Sequence, residues 1–220
     1  MSWRSGRPTP SVGTVTTSGP AVLAALSGLA FCLSLIVAIG AQNAFVIRQG
    51  VRGEHVGVVV ALCALSDAVL ITAGVAGAGV LLADPAVATV VRWAGAAFLL
   101  GYAALAARRA LRPSALTIET TGARVGLRGV VLTTLALTWL NPHVYLDTLV
   151  LTGSVASGHG EQRWWFAVGA VLASLLWFTL LGRGARALRP FFARPSAWRI
   201  LDASVAVVMT VTAVVLLLGN

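Results

Sequence analysis

Six apolar runs, at about residues 21 to 40, 55 to 83, 86 to 107, 129 to 155, 164 to 182 and 200 to 218, alternate with short polar breaks along the chain. The first, "AVLAALSGLAFCLSLIVAIG", carries no charge. About 20 such residues rising 1.5 Å each match a hydrocarbon core of about 30 Å. Each break has its own signal: "RQGVRGE" at 48 to 54, "ADP" at 83 to 85, an Arg-rich stretch at 108 to 129, "SGHGEQR" at 157 to 163, and "GRGARALRPFFARPSAWR" at 182 to 199. The pattern predicts an all-α membrane protein of six transmembrane helices occupying residues 21 to 220. A Pro, Gly, Ser and Thr-rich segment at 1 to 20 precedes it, with a composition that predicts disorder. The run after this basic start is long for a signal-peptide core and no A-x-A site follows, so it reads as a retained first helix.

Composition agrees with the pattern. Of 220 residues, 58% are hydrophobic and 10% charged, where a soluble domain has about 25% charged. The net charge of +9 comes from arginine alone, because the chain has no lysine. In a soluble protein such an excess points to nucleic acid; here the arginines lie between apolar runs and read as orientation signals. Loops one, three and five hold twelve: Arg48, Arg52, Arg108, Arg109, Arg112, Arg124, Arg128, Arg183, Arg186, Arg189, Arg194 and Arg199. The other side holds Arg4, Arg7, Arg92 and Arg163. The bias places those three loops in the cytoplasm and both termini outside. Cys32 and Cys63 sit inside apolar runs without a CxxC and read as buried thiols.

The two halves resemble each other. Asn43 precedes Asn141 by 98 residues; "ALSDAVLITAG" at 64 to 74 lies over "VLASLLWFTLLG" at 171 to 182, with Ser66 on Ser174 and Gly74 on Gly182; "RWAGA" at 92 to 96 lies over "RILDA" at 199 to 203. Three spans per half is an odd number, so the expected plan is two inverted three-helix repeats, about 21 to 107 and 129 to 218, joined by a cytoplasmic Arg-rich linker at 108 to 128.

Polar residues then stand out at two matching places. The first run ends in "IGAQNAFVIRQG", and the fourth contains "TWLNPHVYLD", where Pro142 lacks an amide hydrogen and disrupts the helix around Asn141. Broken helices free backbone groups that protein, water or ligand must satisfy, and paired breaks at one depth point to a substrate site. The alternative is a plain helix end at Gly40 and a plain kink at Pro142. Gln42 and Asn43 offer donors and acceptors without the desolvation cost of a charge. Asp67 lies mid-span, where a carboxylate costs about 2.5–3.5 kcal/mol, and is expected to face a cavity. Asp147, six residues after Asn141, shares that expectation, and Asp202 is expected to open the sixth helix. His143 is a candidate for proton coupling or for bonding the broken backbone. Neither a metal cluster nor an enzyme motif such as HExxH or GxSxG is evident, and the residues call for no cofactor.

Together "GAQNAFVIRQG", "SDAVLI" and "TWLNPHVYLD" resemble the LysE type of amino-acid exporter, from about residue 22 onward. Exporters of neutral amino acids typically carry Pro-Gly-Pro in helix one and Asn-Pro-Lys in helix four; this chain has Ala41, Gln42, Asn43 and Asn141, Pro142, His143, which points to the basic branch. The resemblance implies proton-motive-force-driven efflux of L-lysine or L-arginine across a bacterial cytoplasmic membrane. Carried over by motif, Gln42, Asn43, Asp67, Asn141, Pro142 and Asp147 form the substrate site, with Asp67, Asp147 and His143 as coupling candidates. A neutral amino acid or a divalent metal cation is the alternative cargo. The implied partners are the amino acid, protons and membrane lipid, with homo-oligomerisation left open and no nucleic acid.

Overall fold

The computed structural model describes residues 18–38, 40–111 and 126–218, and within them it is helical, with no strand. The expected disorder before residue 18 and the linker arginines Arg112 and Arg124 lie outside the described residues. Helices α1 (Ser18–Ile36) and α2 (Ala41–Arg52) come from the first apolar run and the polar stretch after it. They are followed by α3 (Val56–Val75), a 3-10 segment (Ala78–Ala83) and α4 (Pro85–Leu111). The second part holds α5 (Leu127–Trp139), α6 (Pro142–Tyr145), a π segment (Leu146–Leu151), α7 (Thr152–Ser157), α8 (Arg163–Gly184), α9 (Arg189–Phe192) and α10 (Pro195–Leu218). Five helices are long and apolar enough to cross a membrane, and they belong to the first, second, third, fifth and sixth apolar runs. The fourth run is broken, and its longest piece, α5, has 13 residues.

One expected loop is helical. Residues 48 to 52 complete α2, which stops at Gly53, whose φ of 77° suits the left-handed turn that follows a helix. Hydropathy misplaces this stretch because its polar groups face protein. Arg48 is paired with Asp202, Gln49 is buried, and Gly50 lies against the Gly182 carbonyl of α8, leaving no room for a side chain. The end of α2 is held by Arg189, whose Nε donates to the Val51 carbonyl at 2.8 Å.

Packing between the long helices rests on small residues, since lipid leaves close approach and polar bonds as the available sources of helix association. Gly28 of α1 sits on the backbone of Phe166 and Gly169 of α8 on that of Ala25, so α1 and α8 cross with backbones nearly touching. In the same way Gly74 of α3 meets the backbone at Thr148 and Leu149, and Gly153 meets the Gly74 carbonyl. Gly79, in the segment that follows α3, likewise meets the Leu149 carbonyl. The third close pair is α4 with α10, over a core that includes Leu99, Ala103, Ala106, Leu201 and Val205. Asp84 caps α4, accepting from the amides of Ala86 at 2.8 Å and Val87 at 3.2 Å.

Candidate functional site

Both breaks expected from sequence are present, and each is tied by its asparagine. Between α1 and α2, Asn43 donates from Nδ2 to the carbonyls of Ile36 at 2.9 Å and Ala38 at 2.7 Å. Its Oδ1 accepts from Trp177 Nε1 of α8 at 3.3 Å. Asn43 is therefore occupied in closing the end of α1, a structural duty that the sequence did not assign to it. Between α5 and α6, Asn141 is the N-cap and its Oδ1 accepts from the His143 amide at 3.2 Å, with Pro142 opening the short helix. Tyr145 reaches back across this break to the Trp139 carbonyl at 2.6 Å. Below it Thr152 donates to the Asp147 carbonyl at 2.6 Å, and this side-chain bond supports the π segment.

A cavity of about 170 Å³ lies between the breaks. One water needs about 10–15 Å³ of such space, so the cavity has room for a small solute. Gln42, Asn43, Asp67, Asn141, His143 and Asp147 all line it, as do Cys32, Thr148, Thr152, Phe178, Met209 and Thr212. The lining therefore draws on α8 and α10 as well as on the first, second and fourth apolar runs. Asp67 lies near the middle of α3, which puts the cavity at mid-span depth of that helix.

The two cavity acids differ in their company. Asp67 is 6% exposed, and its Oδ2 accepts from the Ser174 hydroxyl at 2.6 Å. Asp147 Oδ2 stands 3.5 Å from Nε2 of the more exposed His143. In the same cavity, the Nε2 of Gln42 is buried and has no hydrogen-bond partner among the described residues. No side chain caps α2 behind Gly40, so the first-turn amides at the cavity wall have no side-chain acceptor. One cavity thus presents acceptors for a cation together with donors for an anion.

Two sequence expectations are placed differently. Pro142 does not line the cavity; it is buried against Gly95, where a side chain on α4 would collide with its ring. Asp202 does not open α10, which starts seven residues earlier at Pro195. Instead it is buried and paired with Arg48 and with Arg109 Nε at 3.2 Å, outside the cavity. Beside this pair Trp198 donates to the Phe192 carbonyl at 2.7 Å and lies 5.2 Å under the Arg48 guanidinium. Trp139 bonds Ser66 Oγ at 3.1 Å and does not line the cavity.

Among residues the sequence reading passed over, Ser174 and Trp177 matter most. They hold Asp67 and Asn43 from one face of α8, three positions apart. A signal existed for the first: Ser174 overlays Ser66, the residue before Asp67, when the halves are aligned. Cys32, Thr148, Thr152, Met209 and Thr212 left no such trace.

A bundle of several membrane-length apolar helices around a polar cavity at mid-span depth defines a multi-pass membrane transport protein. The chain belongs to the LysE type translocator family, whose model matches residues 33–220. Similar chains include candidate amino-acid transporters of Mycobacterium tuberculosis and Mycobacterium bovis, each 55% identical over 189 residues, covering 86% of this chain and 94% of theirs. The chain is also 41% identical over 223 residues to a protein named lysine exporter in Corynebacterium efficiens, covering 88% of this chain and 97% of that one. No solved structure matches the chain.

Proposed function

We propose that the protein exports basic L-amino acids, lysine and arginine, from the cytoplasm across a bacterial cytoplasmic membrane, driven by the proton motive force. The observation that carries this reading is the pair of carboxylates, Asp67 and Asp147, on one cavity that also presents the unpartnered Gln42 amide. An ionised Asp67 has only a neutral hydroxyl beside it in a setting where unpaired charge is costly, and a cationic cargo supplies the missing charge. The α-carboxylate of the cargo would take the Gln42 amide and the uncapped start of α2. The relative named lysine exporter supports the same cargo class.

Export of a cation works against a negative interior, at about 2.3 kcal/mol per charge per 100 mV, so an inward proton or its equivalent is required. A carboxylate that binds the cargo's cation facing inward and takes a proton facing outward provides that exchange, because proton and ion pair compete for the same oxygens. Asp67 is the first choice for this role, and Asp147 beside His143 the second.

The architecture proposed with it has six spans, with α1–α2 and α5–α7 as the broken first and fourth. Two packing pairs support an inverted repeat. α1 packs on α8, and α3 on the second broken segment, and these pairs exchange when the halves are exchanged. The Arg-rich side, which includes the end of α2 and the start of α10, is assigned to the cytoplasm.

The test is efflux of labelled lysine, arginine and threonine from cells without their own exporters, with and without a protonophore. Export of the basic pair that collapses with the protonophore is expected. Export of threonine alone would overturn the cargo assignment, and export that survives the protonophore would overturn the coupling.

A further inference from the structure

The pairing of α4 with α10 leaves an apolar groove on the outside of the bundle, away from the cavity. Leu100, Ala104 and Ala107 line one wall of this open groove and Ala206, Val207 and Val211 the other. Alanines on both walls keep the floor low. The helices run in opposite directions, and the contact of Arg109 with Asp202 fixes their register at one end.

That end is strongly basic. On α4 the groove stripe continues from Ala104 by four residues to Arg108. On α10 it continues from Ala206 back four residues to Asp202 and seven to Arg199. The charge of Asp202 is already taken by Arg48 and Arg109. Arg108 and Arg199 are exposed, and neither has an ion-pair partner among the described residues. Two guanidiniums thus hold the one carboxylate where the apolar groove ends, and two more, Arg108 and Arg199, follow the groove stripes to the same end without an acid of their own. From Arg108 to Leu100 the groove runs eight residues, about 12 Å, close to the depth of one leaflet, about 15 Å.

We propose that this groove binds one anionic phospholipid, with an acyl chain along Leu100 to Ala107 and the phosphate on Arg108 and Arg199. The charge distribution selects this occupant. A second copy docked by the same face about a two-fold axis along the membrane normal would bring like arginine clusters together. A free phosphate ion leaves the apolar groove empty.

The test is native mass spectrometry of the purified protein from micelles doped with phosphatidylglycerol or phosphatidylcholine, with thermal melts in the same mixtures. Wild-type protein is expected to retain one phosphatidylglycerol in preference to phosphatidylcholine by about thirtyfold, from about 1 kcal/mol for each of the two arginines near the surface. The R108Q/R199Q double variant is expected to lose that preference while melting as wild type does in phosphatidylcholine. Ala104→Trp, which fills the groove and keeps the arginines, is expected to lose the retained lipid. Equal retention of the two lipids by the wild type, or undiminished preference in R108Q/R199Q, would overturn the proposal. A dimer mass that Ala104→Trp abolishes would assign the groove to a second copy instead.

Discussion

Two buried acids, Asp67 on α3 and Asp202 on α10, teach opposite lessons from nearly the same depth of burial. Asp67 is 6% exposed and Asp202 is 2% exposed. Asp202 is ringed by charge of the other sign. Arg48 and Arg109 both contact its Oδ1, Trp198 lies 5.2 Å from one guanidinium and Tyr102 lies 5.4 Å from the other. Asp67 has the Ser174 hydroxyl and an open cavity. An acid with its charge satisfied by the fold ties α2, α4 and α10 together; an acid left short of charge is poised for a visitor.

The strongest way to break this contrast is at Asp67. Asp67→Asn keeps size and accepts the Ser174 bond, but removes the charge. Lysine efflux is expected to fall about 100-fold or more, corresponding to about 3 kcal/mol of lost charged hydrogen bonding. The melting temperature of the purified variant is expected to stay near wild type. Efflux that persists at wild-type rates would show that Asp67 only packs.

The complementary change is Asp202→Asn, for which stability carries the effect. It strips the counter-charge from two half-buried arginines, and a loss of about 3 kcal/mol in unfolding free energy is expected. Efflux per folded molecule should survive within a few fold. A variant that melts normally and does not export would move Asp202 from the frame to the transport pathway.

The same contrast explains what the sequence made legible. The six runs, the two breaks and the cavity acids Asp67 and Asp147 were readable, because a charge or an Asn-Pro pair inside an apolar run contradicts its own surroundings. The helical nature of α2 was not. Arg48, Gln49 and Gly50 read as a loop by hydropathy, yet they contact Asp202, the bundle interior and the Gly182 backbone. Polar groups buried inside a bundle carry the same local signature as polar groups in water. Asp202 finds Arg48 across 154 residues, and Asn43 finds Trp177 across 134, so no local pattern could announce either pair. The structural duty of Asn43 escaped the sequence for the same reason: two of its partners are carbonyls, which every residue carries, and the third is Trp177.

Gln42 and Asn43 sharpen that point at intermediate scale, since they are adjacent, Asn43 makes three hydrogen bonds, and Gln42 leaves its Nε2 without one. Gln42→Ala removes an amide whose Nε2 has no hydrogen-bond partner among the described residues, so stability is expected to hold. The apparent KM for lysine is expected to rise about tenfold, the worth of one well-placed neutral hydrogen bond. Asn43→Ala should do the reverse, lowering the melting temperature first, because two hydrogen bonds across the α1–α2 break and one to α8 go with it. Equal effects of the two variants on both readouts would remove the distinction between the residue that waits and the residue that holds.

The smallest expected effect belongs to Ser174→Ala, and it tests why Asp67 tolerates its setting. Its hydroxyl bond at 2.6 Å is the one side-chain hydrogen bond that Asp67 makes among the described residues. Without cargo, its loss should cost about 1 kcal/mol of stability. With saturating lysine the deficit should narrow, because the cargo's ammonium offers the carboxylate a better partner than the hydroxyl did. Thermal melts of wild type and Ser174→Ala, each with and without lysine, measure that narrowing directly. A deficit unchanged by lysine would mean that the cargo's cation is held elsewhere in the cavity, and Asp147 beside His143 would then become the acid to change.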